Sequence, residues 1–354
     1  MVTSFIPVDV DELTAEWFSA VLGREVTEAT VLEASSGTTG RARVQLRGST
    51  SLPPTVFVKL RPTDEMQQLL VDLTGMGVAE ARFYRDVAAE VPVRVPGVWF
   101  ADTDDERYVM VLEDLTASGC TFPHPDAADI ATRARDIVEQ CARFHARYWE
   151  SPRFAEDGDL AWFGARAMND GTGGIPYVLN AVDAIGDRMD GTFHELAALY
   201  VEHAADITRL ASEGARTLVH GDTHIGNLFV DEPGGGVTGF LDWAVVCTDP
   251  GMRDVSYVLC NSVPSAVREQ IERDLIGRYC ELLADEGIVL APETAWEQHR
   301  LHAFYAWVAA TTTAGMGDKW QSIEFGLAAT RRTTVACAHL DTIGLLRERL
   351  GVTG

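Results

Sequence analysis

The chain is poor in lysine, in regularly spaced cysteine and in positive charge, and each shortage narrows what it can be. Of its 29 basic residues only Lys59 and Lys319 are lysines, so chemistry that needs a primary amine has two positions to use. A net charge of −24 argues against nucleic acid and anionic membranes as partners, because both demand a basic surface. It permits a cationic ligand without requiring one, since the acid excess is spread over both ends of the chain. No apolar run approaches the roughly 18 residues of a membrane span. The six cysteines, at 120, 141, 247, 260, 280 and 337, show neither paired nor metal-type spacing and read as inert core or surface residues. The opening Met-Val-Thr-Ser-Phe-Ile-Pro has no basic region and no apolar stretch of signal-peptide length, so a cytoplasmic location is expected.

What is present is 354 residues, 46% hydrophobic and 23% charged, more than one compact domain usually holds. Segment 9–22 opens with acids and places Leu13, Trp17 and Val21 four apart before Gly23, which predicts an amphipathic helix. β-rich runs at 26–34, 42–47 and 55–60 are separated by Ser-Ser-Gly-Thr-Thr-Gly and Gly-Ser-Thr-Ser-Leu-Pro-Pro, a three-strand antiparallel meander. A helix over 76–90 and strands over 95–101 and 107–113 follow, the strands straddling Asp-Thr-Asp-Asp-Glu. Helical periodicity then dominates, at 127–149, 193–213, 264–287, 293–313 and 322–349. Short apolar runs at 217–219, 228–230 and 237–241 interrupt it around a Pro-Gly-Gly-Gly turn. The expected architecture is α+β in two lobes. Residues 1–115 form a small five-stranded antiparallel lobe with one main helix that binds nucleotide, and 116–354 a larger, mainly helical lobe that holds a hairpin, catalysis and the acceptor.

The chemistry concentrates in His220-Gly-Asp222-Thr-His224-Ile-Gly-Asn227 between two short strands, with Asp242 after the next strand. Phosphoryl transfer from ATP needs a carboxylate for the hydroxyl proton and oxygen ligands for magnesium. Asp222 suits the first task, Asn227 and Asp242 the second. An Asp or Asn in a turn more often merely caps it, and it is the ordered set in its strand context that favours chemistry. Lys59 ends the strand-like Thr-Val-Phe-Val-Lys. Glu80 falls on the stripe Met76, Glu80, Phe83, Tyr84, Val87, where an unpaired carboxylate is expensive. Lys59 is its candidate partner, with Arg82 or Arg85 as alternatives. A lysine so held anchors phosphates in protein kinases. Ser36, Gly37, Thr38 and Gly40 sit in a turn able to offer backbone N–H groups to phosphates, though such a turn is ordinarily only a turn. Glu113 to Leu115 end the fifth strand at the lobe junction, where backbone groups can meet an adenine edge.

These residues resemble the aminoglycoside phosphotransferase and choline kinase superfamily, particularly its ecdysteroid-kinase-like branch. The resemblance rests on Leu-Val-His220-Gly-Asp222 through Asn227, on Gly-Phe-Leu-Asp242-Trp243 and on Asp249-Pro250 through Asp254. Glu113-Asp114-Leu115 and the stretch around His145 support it. It implies a protein-kinase-like fold, with ATP and Mg2+ as cofactors and Asp222 as base. It makes Asn227 and Asp242 metal ligands, Lys59 and Glu80 the phosphate-anchoring pair, and Asp254 a brace for the catalytic loop. The full three-glycine loop is missing, and His224 replaces an aromatic residue frequent in relatives; it either packs and hydrogen-bonds or approaches the acceptor. The acceptor is a small-molecule hydroxyl compound: an aminoglycoside, amino alcohol, sugar or lipid-like alcohol. Two rival readings are a non-catalytic nucleotide-binding module of the same fold and a metal-dependent hydrolase built on His220, Asp222 and His224.

Overall fold

The computed structural model describes residues 5–104, 106–165, 171–317 and 322–352; Lys319 lies outside them. Along the chain come α1 (Ala15–Leu22), β1 (Val26–Ser36), β2 (Gly40–Gly48), β3 (Thr55–Leu60), α2 (Glu65–Thr74), α3 (Met76–Asp86), β4 (Val98–Thr103) and β5 (Tyr108–Glu113). After these lie α4 (Ile130–Tyr148), α5 (Ala161–Ala165), α6 (Ile175–Ile185), α7 (Gly191–Ala211), β6 (Thr217–Val219), β7 (Leu228–Asp231), β8 (Val237–Phe240) and β9 (Cys247–Asp249). Helices α8 (Met252–Tyr257), α9 (Ser265–Asp285), α10 (Pro292–Met316), α11 (Ile323–His339) and α12 (Thr342–Leu350) close the chain. No described helix is long and apolar enough to cross a membrane.

Two compact units emerge, Met1–Phe122 with Phe229–Val245, and Pro123–Leu228 with Val246–Gly354. The first is built on a five-stranded antiparallel sheet in the order β1-β2-β3-β5-β4. Alternation along β2 buries Ala42, Val44 and Leu46, and with Val56, Val58, Val109 and Val111 they pack under Trp17 and Phe18 of α1. The segment carrying the β7–β8 pair groups with this sheet. In the second unit, α6, α7, α10, α11 and α12 share a core around Phe193, Phe304, Trp307 and Leu346. All six cysteines are buried as thiols.

Several boundaries differ from expectation for local reasons. The first helix starts late, because Thr14 caps it by accepting from the Trp17 N–H; Leu13 is buried but precedes it. Helix α2 was not expected. Asp64 caps it by accepting from the Met66 and Gln67 N–H groups, and left-handed Gly75 separates it from α3. The fourth strand lies three residues later than its apolar run suggests. Helix α6 also went unread. The periodicity over 322–349 is two helices, divided at Asp341, whose φ is 50°. Thr217–Val219 pairs with Cys247–Asp249, a strand absent from the expectation, while β7 and β8 pair with each other.

Candidate active site

In the first unit β3 delivers Lys59 to the interior, where its Nζ stands 2.7 Å from Glu80 Oε1 and 3.2 Å from Asp242 Oδ1. Glu80 is fully buried on α3, so Lys59, and neither Arg82 nor Arg85, is the partner its position demands. Burial raises the Glu80 carboxyl to about 7 although Lys59 pulls it down. Burial works against the Lys59 charge too, but Asp242 and Glu80 outweigh it and hold the ammonium's pKa up. Asp242 takes a left-handed backbone, φ 64°, a conformation that Asp tolerates better than most residues. Its neighbour Trp243 stacks on Phe83 of α3 with ring centroids 4.1 Å apart. The helix that supplies Glu80 thus also docks the segment that supplies Asp242.

The other first-unit candidates are divided. Ser36 Oγ donates to Gln67 Oε1 at 2.9 Å, and Gly37, whose N–H donates to the Thr39 carbonyl, has open space where a Cβ would go. Thr38 lies half-buried beside them. Gly40 is glycine for a packing reason, since a Cβ there meets the Arg61 carbonyl at 2.8 Å. The Glu113 carboxylate accepts from Arg94 and from the Gly97 N–H, each at 2.8 Å, and its own N–H donates to the Gly97 carbonyl. Arg94 also binds Asp231 at 2.6 Å, tying the β7 end to this strand terminus. Leu115 is buried against Cys120 and Phe229.

In the second unit Asp222 and Asn227 come together on the loop after β6. Asn227 Nδ2 donates to both the Asp222 carbonyl and Asp222 Oδ2, each at 2.9 Å, which leaves the amide oxygen as the atom with which Asn227 can face a cation. His224 Nδ1 accepts from the Gly226 N–H at 3.0 Å, and its Nε2 is 3.6 Å from Asp222 Oδ2, so it caps the turn and flanks Asp222. Asp254 is fully buried and accepts from the His220 and Gly221 N–H groups at 2.7 and 2.8 Å. His145 lies 3.2 Å from the same carboxylate and bonds Tyr279 through its other nitrogen. Burial raises the Asp254 carboxyl, but His145, His220 and the backbone donors win and hold it below its ordinary range. Among the described residues no group of three or more His, Cys, Asp or Glu side chains is placed to hold a metal.

Residues 30–302 match the family described as "Phosphotransferase enzyme family", APH. The chain belongs to this family. No curated protein matches the sequence significantly. Among solved structures the phosphotransferase chain is similar to a choline kinase from Cryptosporidium parvum, with 11% identity, 91% of each chain covered and a TM-score of 0.54. A GDP complex of an aminoglycoside 2'-phosphotransferase-IIIa variant shares 12% identity over 88% of this chain and 92% of that one, with a TM-score of 0.51. Such likenesses show the fold, which is protein-kinase-like and α+β as expected.

Three contacts around these residues were not anticipated from the sequence. The second carboxylate on Lys59 is Asp242, a contact across about half the chain that no local pattern announces. Tyr257, one turn beyond Asp254, reaches Asp222 through its hydroxyl. Tyr305 on α10 accepts from Arg253 Nη2 at 2.7 Å and donates to the Gly221 carbonyl at 2.6 Å. The last two are buried or partly buried aromatics in helices, and their helical periodicity is the same as that of core residues.

Proposed function

We propose that this protein is a small-molecule kinase that transfers the γ-phosphoryl group of ATP to an alcohol. The observation that carries the reading is the buried Lys59 ammonium held between Glu80 and Asp242 in a chain of the phosphotransferase family. In this reading Asp222 accepts the hydroxyl proton as the acceptor oxygen bonds to phosphorus and the bond to the ADP oxygen breaks. Asn227 orients the Asp222 carboxylate through its amide N–H. Lys59 anchors the α- and β-phosphates, with Glu80 fixing its position. The turn bearing Ser36, Gly37, Thr38 and Gly40 borders the phosphates, and the Glu113 to Leu115 stretch borders the base.

The Asn227 amide oxygen and the Asp242 carboxylate are hard oxygen donors, the type Mg2+ takes, and both residues fit its binding. Bound there, Mg2+ would offset the negative charge of the phosphates. Incubation with Mg-ATP and a panel of aminoglycosides, amino alcohols, sugars and apolar alcohols, read by ADP release and product mass, tests the reading. Asp222→Asn is expected to abolish transfer while Mg-ATP binding stays within a few-fold. Undiminished transfer by that variant overturns the role of Asp222. ATP bound but never turned over with any acceptor establishes the non-catalytic module instead.

A further inference from the structure

A pocket of about 200 Å³ opens in the second unit between α7, α10 and the β9–α8 corner. Ile207, Ala211, Leu301, Phe304 and Val308 wall it, and Asp249, Arg253, His302 and Tyr305 supply its polar border. None of the groups assigned above to proton or metal chemistry lines it. We propose that this pocket seats the apolar body of the acceptor, and that the acceptor is a compact, mostly apolar alcohol carrying at most one hydrogen-bonding or cationic group besides the reacting hydroxyl, rather than a polycation. The proposal rests on the kinase reading and deepens it.

Three features carry it. The volume lies below the about 300–1,000 Å³ of ordinary small-molecule sites, so it fits a compact molecule, and the apolar walls reward carbon. The charges at the border cancel: Arg253 Nη1 pairs with Asp249 Oδ2 at 3.0 Å, both side chains buried. A polycation entering here would lose water around several charges and find one carboxylate, already paired. Yet Asp249 Oδ1 and both ring nitrogens of His302 are buried without a hydrogen-bond partner, a vacancy for one polar group. Burial also lowers the His302 pKa to about 4, so the imidazole is neutral and can both donate and accept. Tyr305 links this site to the chemistry, because the ring that borders the pocket pins the carbonyl of Gly221, the residue before Asp222.

The test uses the full chain and three probes: 2-amino-1-phenylethanol, cyclohexylmethanol and kanamycin. Binding without nucleotide is measured by calorimetry and by NMR contacts between the probe and the His302 ring protons, a readout that needs no variant. Ala211→Trp and Val308→Trp fill the pocket, while Val289→Trp, at a position 93% exposed, controls for the added indole; melting midpoints show which variants stay folded. The compact alcohols are expected to contact His302, and both filling variants to weaken their binding and raise their KM by about 10-fold or more, with the control unchanged. Absence of contact with His302, binding that survives both fillings in folded protein, or phosphorylation of kanamycin alone overturns the proposal. If the compact alcohols bind at His302 but no probe of the wider acceptor panel is ever phosphorylated, the kinase reading fails and only the pocket's ligand chemistry survives.

Discussion

Replacing Glu80 by Gln tests the electrostatics of the buried lysine through stability alone. Wild-type Glu80 has a folded pKa near 7 against an ordinary 4.5, so the folded state holds this proton more tightly than the unfolded chain. Its contribution is therefore fully present below the unfolded pKa, and declines as pH rises until it is lost above the folded one. Gln cannot titrate, and the difference in unfolding free energy between variant and wild type cancels the other carboxylates to first order. At about 1.36 kcal/mol per pKa unit the difference should move in the variant's favour by about 2 kcal/mol between about pH 5.5 and about pH 8. A constant offset accompanies this, because Gln keeps the hydrogen bond to Lys59 but not the charge, and Asp242 remains as counter-ion at 3.2 Å. Urea unfolding followed by tryptophan fluorescence at four pH values measures both. A difference that stays flat across the range, or slopes the other way, refutes the claim that burial outweighs Lys59 at Glu80.

Lys59→Ala is expected to lower kcat/KM by at least about 10²-fold, as removal of a charge that orients phosphates does; a smaller loss means the phosphates are held elsewhere. Asp242→Ala should eliminate metal-dependent turnover, measured as ADP release against Mg2+ concentration, and retained metal-dependent activity removes Asp242 from the ligand set. Asp254→Asn keeps one acceptor but turns an amide N–H2 toward the other backbone donor, so at about 1.5–3 kcal/mol for a hydrogen bond to a charged group unfolding should become about 2–4 kcal/mol easier. A melting curve that superimposes on wild type contradicts the brace formed by Asp254 with the His220 and Gly221 N–H groups.

Legibility in the sequence followed burial. The sheet was readable because β2 and β3 alternate as half-buried strands do, and Lys59 to Glu80 was readable because a carboxylate on an apolar helical stripe must find a cation. Helix α2 escaped because three of its apolar residues, Met66, Leu69 and Leu73, are exposed and only Val71 is fully buried, so its periodicity reports little core. Strand β9 escaped because its identity depends on pairing with β6 rather than on its own three residues. In the glycine turn Gly40 is fixed by its close approach to the Arg61 carbonyl, a contact its local sequence does not announce, whereas Gly37 faces open space.

What neither motif nor periodicity supplies is the sharing of one ammonium by two carboxylates, and that sharing gives the site its chemical sense. Glu80 is fully buried with Oε2 lacking any hydrogen-bond partner, whereas a quarter of the Asp242 side chain is exposed. Of the two, Asp242 is the one a cation can reach, and any ion it binds competes with Lys59 for its charge. An ion held at Asp242 would offset the carboxylate charge that helps raise the Glu80 pKa, and the ammonium would then depend more on Glu80. In the proposed kinase, an ion held at Asp242 would therefore couple to the Lys59–Glu80 pair through the carboxylate that they share.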